Sequence, residues 1–224
     1  MSTIEKATAR PMRLAKRQVT DNDAVESIVS SCNVVRIGCA DDEGMFIVPM
    51  NFGYEWDVCE TPACANEASG DIDAGEGIAD APATNANDRK PDDTSSKSDA
   101  AASTRANASR TLTLWLHCAQ VGRKADAFAK TTHVAIEMDC EDGLISGSYA
   151  CAYSFAYRSI MGTGRVMPVL DAASKRHALT KIMEHVAPGA PITYSDEAIE
   201  RVAVYRIDVD TLTAKQRAPK TAQR

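Results

Sequence analysis

Apolar and polar positions alternate or recur with recognisable periods along most of the chain. Val35, Ile37 and Cys39 alternate with Arg36 and Gly38, the signature of a strand buried on one face. Asp41-Asp42-Glu43-Gly44 then reads as a hairpin turn into a second strand over 45–54. Leu112, Leu114 and Leu116 alternate with Thr113, Trp115 and His117, which predicts a third strand over 111–118. A hairpin joins it to the second. A fourth strand is expected over 133–139. A fifth covers 153–169, bent by a bulge or a sharp curl at Gly162 and Gly164. The last covers 202–209.

Helical spacing appears in three places. Ala24, Val25, Ile28, Val29 and Cys32 predict a helix over 21–32 with Thr20 as its N-cap. A short helix follows the third strand over 121–130. Asp171 caps a third helix reaching about Val186, with Ala178, Leu179, Ile182, Met183 and Val186 inward and Pro188 and Pro191 stopping it. Six strands joined mostly by hairpins give a mainly β (α+β) fold, a closed or nearly closed antiparallel barrel with a few flanking helices. A doubly wound parallel sheet needs a helix between most strands, and none fits between Met45 and Thr111 outside a polar stretch.

That stretch changes the picture. Residues 60–110 hold thirteen alanines and no Leu, Val, Met, Phe, Tyr or Trp. Their five bases against ten acids carry −5 of the chain's net −6, leaving −1 for the rest. Such a segment buries too little apolar surface to offset its ordering entropy. It is expected to be a flexible insertion, with a helix induced by a partner as the alternative. Loop closure grows only logarithmically with length, so a hairpin tolerates the excursion.

Composition adds exclusions. With 224 residues, 44% of them hydrophobic, the chain suits a single soluble domain. No run of 18 apolar residues exists, and the basic N-terminus lacks an apolar signal core. The acidic balance argues against nucleic acid. Seven scattered cysteines suggest reduced thiols in a cytoplasm rather than a disulfide framework. Cys59 and Cys64 have no second pair, so no metal site is expected.

Three places could carry chemistry. Gly122-Arg123-Lys124 opens a helix and suits a phosphate, through guanidinium, ammonium and backbone N–H groups, or else is a solvated basic pair. Val48-Pro49-Met50-Asn51 holds a proline within a strand, marking a ligand-facing break or a plain edge. His117 offers an imidazole to a cofactor or a proton, or is simply exposed. Asp139, Glu141 and Asp142 read as a solvated turn. No GxGxxG, P-loop, GxSxG or HExxH pattern is present.

The succession RPMRLAKRQ, VPMNFGY, LHCAQVGRKADAF, YRSIMGTGRV and VAVYRIDVDTLTAK resembles the FMN-binding split-barrel family of pyridoxamine 5′-phosphate oxidase. Within it, the chain is most similar to the nitroimidazole-resistance (Nim-type) subgroup. The resemblance covers 11–56 and 111–217. It implies one split-barrel domain over 11–217, interrupted by 60–110, with flexible tails at 1–10 and 218–224. It also implies a homodimer with FMN at the subunit interface. Residue by residue, Arg123 and Lys124 match the phosphate-binding pair. His117 and Cys118 match the strand-end pair beside the ribityl phosphate and ring. Val48, Pro49, Met50 and Asn51 match the strand lining the isoalloxazine. Ser159 matches a position that reaches the flavin from the other subunit. His117 is the candidate proton donor.

The implied activity is FMN-dependent reduction of nitro-aromatic compounds or other small molecules. A non-catalytic flavin- or haem-binding module is the alternative, with His117 as haem ligand. An interaction protein recruiting a basic partner through the acidic insertion is a third. Two departures stand out. The family keeps the interrupted hairpin short, and its Thr-Gly-Lys is here Thr213-Ala214-Lys215, where the glycine often makes a left-handed turn.

Overall fold

A computed structural model describes residues 12–59 and 109–219. Eight strands form one sheet: β1 (Gln18–Val19), β2 (Val35–Asp41), β3 (Gly44–Met50), β4 (Gly53–Cys59), β5 (Ser109–Ala119), β6 (His133–Ile145), β7 (Ser154–Val169) and β8 (Val202–Arg217). Four helices accompany them: α1 (Asn22–Ser31), α2 (Arg123–Lys130), α3 (Ala172–Val186) and α4 (Asp196–Arg201). The strand order is β3-β2-β6-β7-β8-β5-β4, with β1 on β8. The sheet curls around one core without its ends pairing, which is a split barrel.

The strand count exceeds the expected six at two places. The stretch expected as one strand over 45–54 breaks at Asn51-Phe52, where Phe52 turns fully into the core. Its two halves become β3 and β4, at opposite ends of the sheet. It is therefore β4, and not β3, that lies beside β5. Pro49 sits on edge strand β3, where a missing N–H costs no ladder bond. The two residues of β1 pair with Lys215 and Ala214 and are too short to show a period.

Several boundaries shift. Asp21, not Thr20, caps α1, its carboxylate accepting from the Ala24 N–H at 2.8 Å. β6 runs on past Asp139 through an irregularity between Glu141 and Leu144. The expected solvated turn is thus strand. Arg158 on β7 grips Asp142 with two 2.9 Å hydrogen bonds, and Asp139 pairs with Arg36. β8 runs to Arg217, and Ala214 is buried and paired with Ile160, so no left-handed turn exists there. Helix α4, capped by Ser195, was not foreseen. The expected flexible insertion lies outside the described residues except for Ser109 and Arg110. These open β5, and Arg110 reaches Glu26 at 3.0 Å and Asp23 at 3.3 Å.

The bulge expected on β7 lies instead on β8: Thr163 pairs with Thr211 and Gly164 with Val209, which leaves Asp210 as the extra residue, while β7 keeps an unbroken register with β6 through both glycines. The register against β8 shifts between Thr163 and Gly164. A Cβ at Gly162 would stand 2.4 Å from the Thr211 carbonyl oxygen, so glycine is what lets β8 approach.

β5 is buried on both faces. Leu112, Leu114 and Leu116 enter the main core beside Ile37, Phe52, Met138 and Ile160. Trp115 packs on the other side with Ala178, Ile182 and Val204, beneath α3. Of the inward positions expected on α3, Ala178 and Ile182 are buried, while Val186 is exposed beyond the sheet. Among the described residues no helix is long and apolar enough to cross a membrane.

Candidate functional site

The turn between β5 and α2 builds the first half of the site. Gly122 precedes α2 at φ +114°, a conformation that L side chains rarely adopt. The helix's first bond runs from the Asp126 N–H to the Gly122 carbonyl at 3.1 Å. The N–H groups of Arg123, Lys124 and Ala125 therefore have no helical partner, and Gly122 supplies no side-chain cap. Lys124 is half-buried there and makes no ion pair among the described residues. Its charge is felt at Cys39, His117 and Cys118, which places all three near it.

Arg123 behaves differently from its neighbour. Its guanidinium grips Asp41 in the β2–β3 hairpin through 2.7 and 2.9 Å bonds and lies 4.3 Å from the centroid of the Phe46 ring. The Asp41 carboxyl is correspondingly held below the usual range, chiefly by the hydrogen bond from Arg123. The sequence pair thus divides: Lys124 is free for an anion, and Arg123 is occupied.

His117 projects from β5 on the face opposite the leucines and is exposed, with no side-chain hydrogen bond among the described residues. Desolvation by its surroundings, and then the Lys124 charge, pull its pKa below the ordinary imidazole value of 6.5. It is neutral at pH 7, hence an acceptor or weak donor rather than a standing imidazolium. Cys118, on the inner face, has its thiol pushed up by burial and donates to the Ala119 carbonyl at 3.1 Å.

Positions 48–51, at the end of β3 and the start of the break after it, cannot present side chains to one ligand together. Val48 and Met50 face the core, whereas Pro49 and Asn51 face outward. Ser159 lies elsewhere again, on the outer face of β7, paired with Asp139 and Lys215. With Met12, Arg13, Met161, Thr213 and Lys215 it lines an open depression of about 190 Å³. Arg13 and Lys215 have no acidic partner among the described residues. Neither Lys124 nor His117 is among its lining residues. The sequence had named neither Arg13 nor Lys215 as site residues, although both lie in its quoted motifs.

The sequence pattern of the pyridoxamine 5′-phosphate oxidase family matches residues 104–216, half of the chain. The chain belongs to this family. Among solved structures, a candidate 5-nitroimidazole antibiotic resistance protein from Bacteroides thetaiotaomicron is 26% identical, over 88% of this chain and 85% of that one, with a TM-score of 0.57. The flavocytochrome Anf3 from Azotobacter vinelandii shares the fold at 17% identity, over 94% and 74% of the two chains, with a TM-score of 0.60. An FAD- and haem-binding protein from Mycobacterium smegmatis does so at 14% identity, over 92% and 77%, with a TM-score of 0.59. No curated protein matches the chain significantly. For a member of the pyridoxamine oxidase family, the uncapped α2 N-terminus beside an unpaired lysine is the feature that fits a phosphate-bearing cofactor.

Proposed function

We propose that this protein is a homodimeric, FMN-dependent oxidoreductase acting on nitro-aromatic compounds of the nitroimidazole type or on other small molecules. The observation that carries the reading is the donor set at the start of α2. Three helix N–H groups without helical partners stand at the same helix start as Lys124, which makes no ion pair among the described residues. Family membership and the 26% identical structure support the same reading.

In this scheme Lys124 and the α2 N-terminus hold the FMN phosphate. Cys118 packs beside the ribityl chain, while Pro49 and Asn51 border the ring. Bound flavin supplies the hydride or electron-pair chemistry. His117, neutral at pH 7, hydrogen-bonds the ring or substrate and releases a proton only when it has first taken one up. Ser159, with Arg13 and Lys215, completes the site from a second copy of the chain. A dimer is supported by the outer face of the sheet, where Met45, Ile47 and Met161 are 91%, 69% and 60% exposed.

A non-catalytic flavin- or haem-binding role is the second reading. It rests on the same exposed, unprotonated imidazole of His117, which is free to ligate a metal.

The visible spectrum of the purified protein, with and without added FMN, separates the two. One bound flavin per subunit, followed by turnover with NAD(P)H and a nitro-aromatic acceptor, upholds the first reading. Bound flavin without turnover, or a Soret band, favours the second.

A further inference from the structure

The main core ends at a junction that the flavin reading does not use. Cys32, at the C-terminal end of α1, and Cys140, on β6, lie 108 residues apart in sequence, yet their Sγ atoms are 3.4 Å from each other. Cys140 Sγ also lies 3.4 Å from the Ser31 carbonyl, to which it donates. The Arg158 guanidinium closes the junction, bonded to Asp142 and to Ser31 Oγ at 3.0 Å. Cys32 is 1% exposed, while Cys140 is only partly buried. We propose that Cys32 and Cys140 form a reversible disulfide, a redox-modification site oxidised by hydrogen peroxide.

The order of events follows from access. Cys140 meets peroxide first. Its sulfur attacks one peroxide oxygen, the O–O bond breaks, and water leaves, giving a sulfenic acid. The Cys32 sulfur then attacks the Cys140 sulfur. The S–O bond breaks, and the hydroxide departs with the Cys32 proton as a second water. Two thiols lose two electrons in total, and one peroxide becomes two waters. A dithiol reductant reverses the bond by exchange.

Cys32 is poorly suited to the first step. Burial, and then the hydrogen bond with Cys140, push its thiol up to about 12. It is well suited to the second, since the two sulfurs need to close only from 3.4 Å to about 2.05 Å. Cys39, Cys118 and Cys151 do not share this arrangement. Cys39 is buried and its thiol faces the Ile37 carbonyl, Cys118 donates to the Ala119 carbonyl, and Cys151 is exposed. The bond would tie α1 to β6 one residue from Asp139, which pairs with Ser159.

The test uses the full chain, reduced, desalted and treated with limiting hydrogen peroxide. Free thiols are then blocked with N-ethylmaleimide, and the protein is digested for mass spectrometry. A Cys32–Cys140 linked peptide should dominate, vanish with dithiothreitol, and be absent from Cys32→Ser and Cys140→Ser. The same oxidation in guanidinium chloride should scatter the linkages among the seven cysteines. If the native protein also gives scattered linkages, or if Cys140 ends as sulfinate with Cys32 still free, the proposal fails.

Discussion

Lys124 and Arg123 are adjacent, equally charged and differently employed. Arg123 is held by Asp41, and Lys124 by nothing among the described residues. Replacing Lys124 with alanine should therefore weaken FMN binding roughly ten- to a hundredfold, the ~1.5–3 kcal/mol of a hydrogen bond to a charged group. Arg123→Ala should cost distinctly less, and isothermal titration of both variants checks the difference. Equal losses would mean that Arg123 leaves Asp41 to join the phosphate. The same lysine depresses His117, so Lys124→Ala should raise the imidazole pKa of the flavin-free protein toward 6.5, read by NMR titration. The basic pair was legible as residue types at a helix start. Its division was not, because Asp41 lies 82 residues away and only the fold carries it to Arg123.

Among elements, α3 is fastened to the sheet by two devices. A Cβ at Gly53 would stand 2.4 Å from the Lys181 carbonyl carbon, so helix and strand touch backbone to backbone. Gly53→Ala should cost ~1–3 kcal/mol by chemical denaturation, as overpacking does in a close-packed site. Beside it, Glu55 accepts from Trp115 Nε1 at 2.8 Å and His177 Nε2 at 2.9 Å. Burial alone would raise this carboxyl. The hydrogen bonds and the nearby His177 and Lys181 charges outweigh it and hold the group below its ordinary 4.5. A depressed folded-state value stabilises the fold above pH 4.5, and that contribution disappears as pH falls through the lowered value. Glu55→Gln should flatten the fall of stability in this acid range, followed by thermal melts at stepped pH. Helix α3 itself was readable from its cap and spacing. Its fastening was not, since neither Gly53 nor Glu55 belongs to an apolar period.

For the whole molecule, the two halves of the proposed site are built on different elements, Lys124 at the start of α2 and Ser159 on the outer face of β7. A homodimer joins the two if its two-fold axis brings one half to the other. Met161→Asp, placed on the exposed face, should shift the protein toward monomer in light scattering and weaken FMN binding together. Loss of the dimer with unchanged FMN affinity would confine the cofactor site to a single subunit.

Patterning along the chain carries the strands and helices whose periods are strong, the barrel class and the β7 glycines where β8 comes close. Each is a local matter of which face a side chain takes or how closely two backbones approach. It also brought Lys124, His117 and Ser159 forward as residue types in quoted motifs. The break of 45–54 into strands at opposite ends of the sheet comes from long-range packing, in which the burial of Phe52 outweighs a continuous β pattern. Long-range packing likewise occupies Arg123 and brings Cys32 to Cys140. Pairings between residues a hundred positions apart leave no period in the chain. They arise from which strands the closing sheet sets side by side.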